Sequence, residues 1–165
     1  ELGEIVEVAN VNCPGQLVVS GKSEAVAALV GRAKEAGARR ALPLAVSGPF
    51  HSSLMEPARV KLQPLLEKLE IASVRTPLVA NVTGAVVSEP YAIREALAKQ
   101  VARPVLWEAS VRTMVERGVH TFVEVGPGTV LSGLIRKSVE GVQVRHVEDE
   151  VSLQHMLGQA MEAGR

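Results

Sequence analysis

Beyond Val46 the chain alternates stretches of helical period with apolar runs too short to be anything but buried strands. That alternation constrains the fold more than any other feature, because it calls for parallel strand pairing covered by helices. A helix is predicted from Leu54 to Leu69, with Leu62, Leu65, Leu66 and Leu69 on one face and Pro64 kinking or restarting it. Pro77 to Val82 reads as a strand, and helices are expected over Ala92 to Val101 and Val105 to Arg117. Thr121 to Val125 then reads as a buried strand leading into Gly126-Pro127-Gly128, followed by a helix from Val130 to Val139, a strand at Val142 to Val147 and a helix from Val151 to Ala163. Before Val46 the order is β-β-α-β. Ile5 to Val11 and Gln16 to Ser20 form a hairpin about Asn12-Cys13-Pro14-Gly15; Val26, Leu29, Val30 and Ala33 mark a helix over Ser23 to Ala36 ended by Gly37; Arg39 to Val46 reads as a strand. These are the last four elements of a βαββαβ ferredoxin-like unit.

The second strong feature lies where these patterns meet, in Ser47-Gly48-Pro49-Phe50-His51-Ser52-Ser53-Leu54-Met55. One imidazole is placed at a strand-to-helix corner, the position where α/β proteins concentrate chemistry. Ser53 and Glu56 have capping-box spacing, and Pro57 supports a helix start. His51 is thus expected just ahead of the positive end of a helix, which favours a neutral ring able to accept a proton. The plain alternative is a histidine that only fills a loop.

Composition removes several function classes. Eighteen basic residues balance eighteen acidic ones in the 165-residue chain, leaving no electrostatic case for nucleic acid. Phe50, Tyr91, Trp107 and Phe122 are the whole aromatic set, so stacking platforms for single strands are lacking and the core must be built from Ala, Val and Leu. Cys13 is alone, which excludes a disulfide framework or cysteine zinc site and fits a reducing cytoplasm. His120, His146 and His155 have no metal-ligand spacing, and no apolar run reaches the length of a membrane span. No metal or redox cofactor is implied.

The histidine segment resembles the histidine motif of the malonyl-CoA:acyl carrier protein transacylases, acyltransferases of fatty-acid and polyketide synthesis. Further landmarks of that family follow in order: Asn10-Val11-Asn12-Cys13-Pro14-Gly15-Gln16, Asn81-Val82-Thr83-Gly84, Gln100 with Pro104-Val105-Leu106-Trp107, Phe122-Val123-Glu124-Val125-Gly126-Pro127-Gly128 and Val130-Leu131-Ser132-Gly133-Leu134. The resemblance implies a partial α/β-hydrolase-like core with part of an inserted ferredoxin-like subdomain. Residues 1–46 would be the C-terminal part of the small subdomain and 47–165 that of the large one. Acyl transfer in this family needs a serine on a Gly-x-Ser-x-Gly elbow, and no such pentapeptide occurs here. The nucleophile, the oxyanion-hole glutamine and the arginine that grips the malonyl carboxylate are therefore expected in an N-terminal half preceding residue 1, and this chain alone is expected to be inactive.

Residue roles follow from the same resemblance. His51 is the expected general base, and the backbone carbonyl of Gln100 the acceptor that orients it. Phe50 would crowd a methyl branch on the substrate, and Asn12 would face substrate from its turn. Arg136 and Lys137 would receive an acidic acyl carrier protein. Each has a plain structural alternative: helix end for Gln100, packing for Phe50, turn former for Asn12, helix-dipole complement for Arg136 and Lys137. The expected partners are malonyl-CoA, acyl carrier protein and the N-terminal half. Two other readings remain open: a non-catalytic domain that binds carrier protein or coenzyme A, and an acyltransferase domain of a multienzyme synthase.

Overall fold

The computed structural model describes residues 5–163. β1 (Val6–Cys13) and β2 (Gln16–Gly21) form the expected antiparallel hairpin. β1 runs through Cys13, so the turn is only Pro14-Gly15, with Gly15 at φ 76 supplying the left-handed backbone. α1 (Ser23–Arg32) gives way before Ala36 to hydrogen-bonded turns closed by Gly37 at φ 92. The strand expected at Arg39 to Val46 does not form. Leu42, Leu44 and Val46 keep their period-two alternation but point outward, 56%, 60% and 64% exposed. A strand exists through its ladder, and among the described residues none pairs with this segment.

After the His51 corner a short 3-10 turn, Ser53–Met55, leads into α2 (Glu56–Glu67). The expected capping box is absent: Ser53 is inside the turn, its hydroxyl is engaged by Glu7, and Glu56 bonds Arg59 instead. β3 (Leu78–Ala80) falls within the strand expected at Pro77 to Val82 and forms a hairpin with β4 (Ala85–Val87), which the sequence reading missed because three residues are too few to show a period. α3 (Pro90–Gln100) begins on a proline and ends shortly before Pro104, whose ring disfavours helix in the residue before it. β5 (Val105–Leu106) takes the first two residues of the expected helix, since they pair in parallel with Asn10 and Val11 of β1. α4 (Trp107–Glu116), β6 (Thr121–Val125), α5 (Val130–Ser138), β7 (Gln143–Val147) and α6 (Glu150–Ala163) then follow close to expectation.

Parallel pairing is present at β1/β5 and β6/β7, but within three small sheets, ordered β2-β1-β5, β3-β4 and β6-β7. Run length and apolarity identify strands without saying which are neighbours. Val111 of α4, Phe122 of β6 and Ile135 of α5 form the core, with Trp107, Met114, Val115, Val119, Val139, Val142 and Val144 packed on it. Mostly branched aliphatics fill this space, with Phe122, Trp107 and Met114 among them, as the scarcity of aromatics requires. Among the described residues no helix is long and apolar enough to cross a membrane.

Candidate active site

His51 is the non-glycine residue with a left-handed backbone among those described, at φ 60. That conformation costs an L-residue about 1–2 kcal/mol, so its neighbours must hold it. Directly after it, the fully buried Ser52 donates its hydroxyl back to the Pro49 carbonyl at 2.6 Å. Downstream, Ser53 donates its main-chain N–H and its hydroxyl to the two carboxylate oxygens of Glu7, each at 2.6 Å. The bond from the Ser53 hydroxyl, and next that from its amide, hold the Glu7 carboxyl below its usual range against the opposing effect of burial; the Arg103 guanidinium adds to the lowering.

The ring itself reaches α3. His51 Nδ1 lies 2.9 Å from the Gln100 carbonyl oxygen, as the family resemblance implies. A carbonyl only accepts, so Nδ1 carries the proton and the neutral ring keeps its lone pair on Nε2. The carbonyl is available because it is one of the last on α3, beyond the reach of the helix's own ladder. The Gln100 side chain closes the turn below, donating to the carbonyls of Arg103 at 3.2 Å and Pro104 at 3.5 Å. α2 is fixed against α3 by Arg94, whose guanidinium donates to the carbonyls of Leu66 and Leu69, each at 2.9 Å. Both sides of the His51–Gln100 bond are thereby tied to one frame.

The other expected site residues are placed as follows. Phe50 is 47% exposed, with its ring folded back over Gly48. Asn12 is in β1 rather than in a turn, two residues beyond Asn10, which pairs with β5. Cys13 is buried and donates to Gln16, in keeping with a structural thiol. Arg136 and Lys137 are exposed at the end of α5, where Arg136 also donates to the Val144 carbonyl at 3.1 Å. The Gly126-Pro127-Gly128 loop is no phosphate cradle, because carboxylates of the chain already occupy it. Glu124 accepts the N–H groups of Leu131 and Ser132 at the start of α5, and Glu148 accepts that of Gly128. Burial pushes the Glu124 carboxyl up, but the bonds from Ser132 and Leu131 outweigh it and leave the group below its usual range.

Glu7, Ser52 and Arg94 are the site residues that the sequence reading missed. Glu7 sits between Val6 and Val8 in an apolar strand, and nothing local connects it to a serine 46 positions later.

Residues 3–161 match the family model for the acyl transferase domain. The chain belongs to that family. It is 44% identical over 154 residues to the malonyl CoA-acyl carrier protein transacylase of Bacillus subtilis, covering 93% of this chain and 49% of the relative. Among acyl transferase domains of known structure, the malonyl CoA-acyl carrier protein transacylase of Clostridium perfringens superposes with a TM-score of 0.91 at 42% identity, over 98% of this chain and 51% of that one. A malonyl-transacylase solved in complex with its type II PKS acyl-carrier protein gives 0.91 at 43% identity, over 95% and 51%. The chain thus spans about half the length of the acyl transferase relatives it matches.

Proposed function

We propose that the complete protein carrying this chain is a malonyl-CoA:acyl carrier protein transacylase, with this chain as its C-terminal half and His51 as general base. The single observation that carries the reading is the His51 Nδ1–Gln100 carbonyl bond, which leaves Nε2 as the proton acceptor. A serine hydroxyl of the N-terminal half gives its proton to Nε2 as its oxygen attacks the malonyl thioester carbonyl. Collapse of the tetrahedral intermediate breaks the carbon–sulfur bond, and the departing coenzyme A sulfur takes the proton from Nε2. In the second half-reaction the phosphopantetheine thiol of acyl carrier protein gives its proton to Nε2 and attacks the serine ester; the leaving serine oxygen recovers the proton. The carbonyl end of α3 stabilises the positive charge that the ring holds between these transfers. No metal or redox cofactor enters the scheme.

Phe50 is assigned to selection against a methyl branch, Asn12 to the substrate side of β1, and Arg136 with Lys137 to carrier-protein docking. The partly built architecture is read as an α/β-hydrolase-like core with a ferredoxin-like insertion. The segment Leu42 to Val46 supports this, since it carries a strand's alternation but has no ladder among the described residues, and a strand of the N-terminal half would supply one.

The test is malonyl transfer to carrier protein by the complete protein. His51→Ala should lower serine acylation by roughly 10²–10⁴-fold with little change in thioester binding, whereas Gln100→Ala, which keeps its carbonyl, should be much milder. The isolated chain should give no turnover. An active isolated chain, or a His51→Ala enzyme of undiminished rate, sinks the proposal.

A further inference from the structure

We propose that Glu7 is a positioning residue for the base: from β1 it holds Ser53 at two points and so keeps the His51 ring on the Gln100 carbonyl. The inference rests on the transacylase reading only for its kinetic readout. Its basis is geometric. His51, with its left-handed backbone, comes just before Ser52, which is buried and tied back to Pro49, and Ser53, which is tied to Glu7 of β1. Ser53 is exposed and opens a 3-10 turn that has no side-chain cap, so the Glu7 carboxylate is what anchors that end of the loop to the sheet. Without it, residues 50–53 are free to relax toward an ordinary backbone, and the ring follows.

The anchor also belongs to the same sheet as the acceptor's support. β1 carries Glu7 and pairs with β5, which follows the Gln100 turn by a few residues. One strand therefore references both the donor loop and the acceptor turn. A carboxylate suits the task because its two oxygens accept the N–H and the hydroxyl of one residue together. Misplacing a base by about 1 Å is enough to cost about 10²-fold in rate.

The test uses the complete protein with Glu7→Ala, Glu7→Gln and Ser53→Ala. Glu7→Ala should lower the serine acylation rate about 10- to 100-fold while leaving the KM for malonyl-CoA within about 2-fold. Glu7→Gln should restore most of the rate, because its amide still accepts the Ser53 N–H and donates to the Ser53 oxygen. Ser53→Ala, which keeps the N–H bond, should fall between. Independently of activity, the Nδ1-bound proton of His51 in a ¹⁵N-histidine spectrum should be protected in the wild type and Glu7→Gln and lost to exchange in Glu7→Ala. If the wild type transfers no malonyl, the transacylase reading fails while the ring signal still tests the clamp. An unchanged ring signal and rate in Glu7→Ala, or a change confined to melting temperature, overturns the inference; if Glu7→Ala does not fold, an unaltered ring signal in Ser53→Ala does so.

Discussion

At the scale of single residues, the corner is held by the bonds of the residues that follow His51. The Ser52 hydroxyl is fully buried and satisfies the Pro49 carbonyl. Ser52→Ala leaves that carbonyl unpaired and loosens the left-handed backbone, so chemical denaturation should show a loss of about 1–3 kcal/mol. Glu7 adds a pH dependence. Its carboxyl is held below the ordinary value of 4.5, so its stabilisation is complete above that pH and disappears as the pH falls through the lowered value. Melting curves between about pH 6 and pH 3 should therefore show the wild type losing its advantage over Glu7→Gln as the medium is acidified. An advantage that persists at the acid end would show that the bonds to Ser53 do not depend on the charge.

At the scale of elements, the site depends on how helices end. α2 and α3 are joined by Arg94, which donates to two carbonyls at the C-terminal end of α2 and complements its dipole there. Arg94→Ala should cost about 1.5–3 kcal/mol, and Arg94→Lys should recover only part, because an ammonium lacks the fork that spans Leu66 and Leu69. Equal stability of the Lys variant and the wild type would make the second bond irrelevant. The β3–β4 hairpin meets α4 through Gly84, at φ 63, where an added Cβ would lie 2.7 Å from the Cβ of Ala109. Gly84→Ala should destabilise by at least the roughly 1 kcal/mol of the left-handed backbone, since the clash with α4 adds to it.

At the scale of the whole molecule, the proposed chemistry and the proposed docking fall on different elements, the His51 corner and the end of α5. Charge reversal at Lys137 is the cleaner docking test, because Arg136 also bonds the β7 backbone. In the complete protein, Lys137→Glu should raise the KM for acyl carrier protein, weaken its salt dependence and leave that for malonyl-CoA unchanged. Equal shifts for both substrates would point to lost stability instead.

The sequence by itself determined what is local. Period and punctuation located the hairpin, most helices and the β6-turn-α5 unit, and set His51 at its corner, while its Gln100 partner, 49 positions away, came only from the family resemblance. Where local signals were read as sufficient, the tertiary structure decided otherwise. Arg39 to Val46 has a strand's alternation but no ladder; Ser53 and Glu56 have a capping box's spacing but different partners; Val105 and Leu106 continue a helical pattern yet join β1. Backbone pairing and the long-range bonds of Glu7, Arg94 and Gln100 depend on which segments meet in space. Which segments meet is settled by burial over the whole chain, as where Val111, Phe122 and Ile135 come together from α4, β6 and α5, and not by any window of it.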